Sequence, residues 1–197
     1  MSIPKIIHMI WIGPDPFPYQ KNLDLYKKYH PKWSFKLWTD ENLPKLKNQA
    51  VYDAIDIYAT KADLLRLELL LKYGGVYVDT DSYCVRPLDS LIKNKTCFFT
   101  TNHKGKVEVN LIGCEAGNKL IKKLVDGAQK YWQYFIFKEK QRRLYCIYNY
   151  IRKRLNKSKN FIKLTQEYNC PLSKRTSKTY VIQNMDHNWV QTEEGDI

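Results

Sequence analysis

Two rhythms of apolar residues run through this chain: short continuous runs that suit buried strands, and helix-spaced stripes. Ile6, Ile7, Met9, Ile10 and Ile12 make a nearly unbroken run across residues 3–12, which predicts a first, buried strand. Gly13-Pro14-Asp15-Pro16-Phe17-Pro18 then excludes regular structure. Residues 19–30 predict a helix stopped by Pro31, and 33–38 an alternating strand closed by Thr39-Asp40, which can cap a following helix. Another helix is expected over 49–58. The densest apolar stretch comes next. Ala62, Leu64, Leu65, Leu67, Leu69, Leu70 and Leu71 leave little of a helix for water, so it should lie in the core. Gly74-Gly75 can end it, and Val76-Tyr77-Val78 reads as a strand. Beyond it, strands are expected over 85–88 (with an Arg86-Pro87 turn), 95–101 and 106–112, the last two around Asn102-His103-Lys104-Gly105. Residues 118–156 read as helical, with Leu144, Ile147, Tyr148, Ile151 and Leu155 as an apolar stripe.

This β-α-β-α-α-β order predicts an α/β fold with parallel strands and a ligand crevice at their carboxyl ends. Trp11 and Asp79 both fall at such ends. With 197 residues the chain suffices for one domain with a full core. No run of eighteen apolar residues occurs, and no signal peptide is seen, so a cytoplasmic protein, or one peripheral at a membrane, is expected. The five cysteines are odd in number and lack C-x-x-C spacing, which argues against zinc and a disulfide framework and fits a reducing compartment. Most of the formal charge of +13 is local: Lys138 to Lys163 holds ten basic residues and one acid, Glu139. Eight aromatics lie between Tyr131 and Tyr150. Such a segment suits an anionic membrane or acidic acceptor, or is simply a solvated face.

The chemistry gathers after the leucine-rich helix. Asp79 and Asp81 at the end of an extended strand would point to one side and raise each other's pKa unless a cation intervened. A hard divalent ion, Mn²⁺ or Mg²⁺, suits such oxygen ligands and leaves positions for a diphosphate. Alternatively, Asp79-Thr80-Asp81 is a solvated acidic turn. Asp63 and Arg66 share a helix face, where burial of charge is costly without partners. His8 reads as a core, hydrogen-bonding histidine.

Ala62-Asp63-Leu64-Leu65-Arg66 followed by Tyr73-Gly74-Gly75-Val76-Tyr77-Val78-Asp79-Thr80-Asp81 resembles the DXD sugar-binding region of glycosyltransferase family 32. That family includes α-1,6-mannosyltransferases and α-1,4-galactosyltransferases, and the glucosylating domains of bacterial toxins are similar. The resemblance spans about residues 3–118. It implies a GT-A (nucleotide-diphospho-sugar transferase) fold, a Rossmann-like mixed sheet flanked by helices, in one domain over 1–197 with the basic segment at about 118–163. It also implies a retaining, metal-dependent transfer of a hexose from a UDP- or GDP-sugar to a glycan, lipid or protein acceptor.

By the same resemblance Asp81 binds the metal, Asp79 bridges ribose and metal, and Asp63 and Arg66 contact the hexose. Tyr77 borders the donor, Trp11 stacks on its base, and Asn110 lies near sugar and acceptor. Trp189 matches a final tryptophan of the family. A preceding serine is replaced by Asn188, and a metal-binding histidine is either displaced to His187 or replaced by Gln183. A basic nucleic-acid-binding protein and an inactive glycosyltransferase-like module are the rivals. The first leaves the Asp63/Arg66 face and the DXD segment unexplained, so no nucleic-acid partner is expected.

Overall fold

A computed structural model describes residues 2–135, 145–158 and 161–184. Its strands are β1 (Ile6–Ile10), β2 (Ser34–Trp38), β3 (Gly75–Val78), β4 (Ser82–Cys84), β5 (Cys97–Thr101), β6 (Val107–Cys114), β7 (Ile162–Leu164), β8 (Asn169–Cys170) and β9 (Val181–Gln183). The helices are α1 (Gln20–Tyr29), α2 (Gln49–Ala54), α3 (Tyr58–Tyr73), α4 (Asp89–Ile92), α5 (Lys119–Phe135) and α6 (Cys146–Asn156). The main sheet has the order β2-β1-β3-β6-β5-β7, and β4-β9-β8 form a smaller one. β1 runs parallel to β2 and β3, whereas β6 is antiparallel to β3 and β5. One core layer packs α3, α5 and α6 on the sheet, and a second fills its other face beneath α1 and α4. The arrangement is the expected mixed α/β sheet flanked by helices.

Helix α3 is buried almost all round, as its leucines require: Leu64, Leu65, Leu67, Leu69 and Leu70 are all fully buried. Gly74 ends it at φ 62° and Gly75 follows at φ 98°. A Cβ on Gly75 would lie 2.6 Å from the Ile6 carbonyl oxygen, so β3 can approach β1 there only with glycine. The tight junction places Val78 and Asp79 at the carboxyl end of the sheet, the end at which Trp11 follows β1. The backbone N–H of Trp11 donates to the Trp38 carbonyl at 2.8 Å.

Several expectations change. The 49–58 helix stops at Ala54, and α3 begins at Tyr58 after a short extended link. Asp40 caps no helix; its Oδ2 accepts the Gly13 N–H at 2.7 Å and ties the proline-rich loop to the end of β2. Residues 85–88 form no strand. Pro87 has no N–H to give a ladder, and the Leu88 N–H donates to His30 Nε2 at 2.8 Å. The strand lies just before, at β4, in the smaller sheet. Helical structure is described over 119–135 and 146–156, while Arg142, Arg143 and Leu144 lie outside the described residues. Among the described residues no helix is long and apolar enough to cross a membrane. All five cysteines are buried thiols, and burial pushes Cys84 and Cys97 up to about 12, which suits packing rather than nucleophilic chemistry.

His8 is the core histidine expected. Trp38 Nε1 donates to its Nδ1 at 3.0 Å, so Nε2 carries the proton and donates to the Gly74 carbonyl at 2.8 Å. Burial lowers its pKa from 6.5 to about 4, against the opposing bond to Gly74. The unfolded chain therefore takes a proton that the folded chain refuses as pH falls from 6.5 towards 4. Stability should drop over that window by up to about 3 kcal/mol and be unaffected above it. A His8→Gln variant, which can both accept and donate, should show a shallower acid slope in urea unfolding between pH 7 and pH 4. Equal slopes in the two proteins would refute this.

Candidate active site

The site is built from one helix face and one strand end. Asp63 and Arg66 sit on the inner face of α3, three residues apart, each with 7% of its surface exposed. Arg66 Nη2 lies 3.1 Å from Asp63 Oδ1, and Arg66 Nη1 lies 3.4 Å from Asp79 Oδ1. Nη1 also donates to the Val109 carbonyl at 2.8 Å, so the guanidinium joins α3, the end of β3 and β6. The Tyr77 ring lies under it at 4.5 Å, while the Tyr77 hydroxyl donates to Asp79 Oδ1 at 2.8 Å. The charged pair that pattern alone placed in an apolar helix is thus buried and compensated.

Electrostatics here is that of a site short of cations. Burial pushes Asp63 up to about 6, with Arg66 opposing the rise. Burial also pushes Asp79 up to about 7; Arg66 opposes this and Asp81 adds to it. Burial would lower the Arg66 pKa, but Tyr77, Asp63 and Asp79 outweigh it and hold the guanidinium charged. One arginine among these carboxylates leaves negative charge that a divalent cation would neutralise.

Asp79 and Asp81 are not on an extended strand. β3 ends at Val78, and the Ser82 N–H donates back to the Asp79 carbonyl at 3.2 Å, closing a turn. The turn is pinned throughout. The Asp79 N–H donates to the Asn110 carbonyl at 3.1 Å, Asn22 Nδ2 to the Thr80 carbonyl at 2.9 Å, and the Asn184 N–H to the Asp81 carbonyl at 3.1 Å. The Asn110 side chain accepts the Thr100 hydroxyl at 2.9 Å, on the residue whose carbonyl receives the Asp79 N–H.

Whether the residues suit a metal can be judged from Gln183. Strand β9, paired with β4, brings it to the turn, where its Nε2 donates to Asp81 Oδ1. Its Oε1 is buried without a hydrogen-bond partner. An amide oxygen beside two carboxylates is the hard donor set that Mn²⁺ or Mg²⁺ takes, so the residues fit such an ion. No group of three His, Cys, Asp or Glu side chains able to hold a metal occurs among the described residues. His187, Asn188 and Trp189 lie outside the described residues.

Trp11 follows β1 at the crevice. Its Nε1 donates to the Asp15 carbonyl at 2.8 Å, and it meets Phe17 and Tyr19 edge-on at 6.0 and 5.8 Å. Residues that pattern reading passed over are chiefly those supporting the site. Buried Glu68 accepts the Lys47 and Asn48 N–H groups and Asn48 Nδ2, anchoring the loop before α2. Asn22 and Ser82 hold the DXD turn. Glu108, on β6, accepts the Tyr148 hydroxyl at 2.6 Å. A charge inside a leucine-rich helix was the available signal for Glu68. Nothing local marked Asn22 or Glu108.

Residues 16–98 match the model of a glycosyltransferase sugar-binding region containing a DXD motif. Inositol phosphoceramide mannosyltransferase 1 of Schizosaccharomyces pombe is 32% identical over 105 residues, which is 48% of this chain and 33% of that protein. The uncharacterized glycosyltransferase L373 of Acanthamoeba polyphaga mimivirus is 32% identical over 132 residues, 59% of this chain and 50% of that one. The chain thus spans a third to a half of these relatives. Among solved structures, the PaToxG glycosyltransferase superposes with a TM-score of 0.65 at 22% identity, covering 78% of this chain and 69% of its own. A glycosyltransferase involved in glycosylation of the PBCV-1 major capsid gives a TM-score of 0.52 at 12% identity, covering 97% and 98%. The resemblance carried by residues 62–81 is upheld, and the fold is that of GT-A glycosyltransferases.

Proposed function

We infer that this chain, which bears the DXD-containing glycosyltransferase sugar-binding region on a GT-A fold, is a retaining, metal-dependent glycosyltransferase. It moves a hexose from a UDP- or GDP-sugar to a glycan, lipid or protein acceptor. The observation that carries this reading is the Asp63–Arg66–Asp79 ion network with Tyr77, which joins the helix face to the DXD turn.

Asp63 and Arg66 bind hexose hydroxyls, the carboxylate accepting and the guanidinium donating. Tyr77 orients Asp79 through its hydroxyl. Trp11 stacks on the nucleobase, since every base offers a π-face. Asp81, Asp79 and Gln183, with His187 and Asn188 as further ligands by resemblance, would hold Mn²⁺ or Mg²⁺. Such an ion, when bound, neutralises charge growing on the departing diphosphate. The acceptor hydroxyl attacks the anomeric carbon on the face the leaving group quits. Its oxygen bonds to carbon as the carbon–oxygen bond to the diphosphate breaks; the electron pair leaves with the diphosphate, and a diphosphate oxygen takes the acceptor's proton. The Asn110 amide borders that path without adding charge.

A screen of UDP-glucose, UDP-galactose and GDP-mannose with Mn²⁺ tests the reading through donor hydrolysis and thermal shift. The names of the mannosyltransferase relatives put GDP-mannose first. Hydrolysis of one donor, lost in EDTA and restored by Mn²⁺, supports it. Nucleotide binding with no hydrolysis would make the chain a binding module instead, and salt-dependent nucleic-acid affinity indifferent to nucleotide sugar would favour the basic-protein rival.

The acceptor side of this reading includes peripheral contact with an anionic membrane. Lys153, Arg154, Lys157 and Lys163 are exposed, as are Tyr145 and Ile162 at 46% and 41%. Arg152, one of the ten basic residues of the 138–163 segment, pairs with Glu108 at 3.5 Å and leaves this set. Each engaged cation contributes about 1 kcal/mol near an anionic surface. Wild type should co-sediment with anionic but not neutral vesicles at low salt, and a Lys153/Arg154/Lys157/Lys163→Glu variant should not. Equal sedimentation of the two would leave the segment a solvated face.

A further inference from the structure

Beside the ion network lies a second polar cluster that the reaction outlined above does not use. Glu108 is the β6 residue next to Val109, whose carbonyl receives Arg66. Its carboxylate accepts from the Tyr148 hydroxyl at 2.6 Å and from Asn102 Nδ2 at 2.7 Å, and it pairs with Arg152 Nη2 at 3.5 Å. Arg152 in turn lies over the Tyr148 ring at 5.0 Å. Tyr148 and Arg152 come from α6, four residues apart on one face. Burial and the bond to Glu108 push the Tyr148 phenol up, and the Asp63 carboxylate adds to the rise.

We propose that Tyr148 and Arg152, held by Glu108, form a second polar wall of the sugar pocket, so that α6 contacts the donor hexose opposite Asp63 and Arg66. The proposal rests on the glycosyltransferase reading and deepens it.

Three features carry it. Tyr148 spends its proton on Glu108, so the lone pairs of its oxygen are open to a sugar hydroxyl. Arg152 Nε is buried with no partner, a cost that a hydrogen-bonding ligand would relieve. The side chains of Arg152 and Glu108 keep 24% and 22% of their surface exposed, so the cluster borders an opening and not the core. Docking of α6 does not require this cluster, because Ile147, Ile151 and Leu155 are fully buried beneath it. Glu108 is a positioning residue in this scheme, and Tyr148 touches the sugar.

The test compares nucleotide sugar with bare nucleotide in the full chain. Calorimetry with Mn²⁺ would measure UDP-glucose, UDP-galactose and GDP-mannose beside UDP and GDP. Tyr148→Phe keeps the ring under Arg152 and removes only the hydroxyl. It should weaken the preferred nucleotide sugar at least about fivefold while leaving the matching nucleoside diphosphate within about twofold. Glu108→Gln, which still accepts from Tyr148, should act in the same direction but less, and Glu108→Ala as strongly as Tyr148→Phe. If Tyr148→Phe weakens sugar nucleotide and free nucleotide alike, or neither, the wall is a structural pin and the proposal falls while the glycosyltransferase reading stands. A wild-type chain that binds no nucleotide at all overturns both.

Discussion

An Asp81→Asn protein should fold normally and lose at least about a hundredfold in donor hydrolysis, the scale set by removing one electrostatic stabiliser of a developing oxyanion. Asn keeps the size of Asp and an oxygen that can accept from Gln183 Nε2, so the turn and its pairing with β9 survive. What disappears is a charged oxygen ligand beside Asp79. The change should leave the melting temperature without metal close to wild type. The stabilisation that Mn²⁺ and nucleoside diphosphate together confer on wild type should vanish, because a ligand stabilises only the state that binds it. Undiminished turnover in Asp81→Asn, or wild-type turnover that persists in EDTA, would remove Asp81 from metal binding.

Arg66→Ala should strike both stability and activity. Arg66 compensates Asp63 and lies against Asp79 in a buried setting, and taking one partner from a buried pair typically costs about 3–5 kcal/mol. Turnover should fall at least about tenfold, which is roughly 1.4 kcal/mol of transition-state binding. Adding Asp63→Asn should recover part of the stability, since it removes the stranded charge, and none of the activity. Affinity for free nucleoside diphosphate should barely change, because Arg66 is assigned to hexose. Trp11→Ala should weaken nucleotide sugar and nucleotide together. An Arg66→Ala enzyme that loses both ligands equally would show that this guanidinium serves phosphate or base instead.

What the sequence by itself determined was local or periodic. The isoleucine run defines β1, the leucines force α3 into the core, and the two glycines mark where the helix turns into β3. Each follows from burial of apolar surface or from backbone sterics within a few residues, so short windows suffice. The pairing of Asp63 with Arg66 was legible for the same reason, since residues three apart share a helix face. His8 was legible as a core residue because it lies inside a buried strand.

Tertiary structure alone decided the rest. Asp79 and Asp81 flank a turn because the chain leaves the main sheet after Val78 to join β9, and no alternation of residues encodes that change of partner. Gln183 reaches Asp81 across 102 residues of sequence only through the pairing of β4 with β9. Glu108 meets Tyr148 across 40 residues because α6 packs over β6. Arg152, which in sequence is one more member of a basic run, becomes part of a carboxylate network for that reason. The physical ground is the same in each case: propensity and periodicity act between neighbours along the chain, whereas the partners of a buried charge are chosen by how distant segments pack, because an ion taken out of water must find its compensation in space.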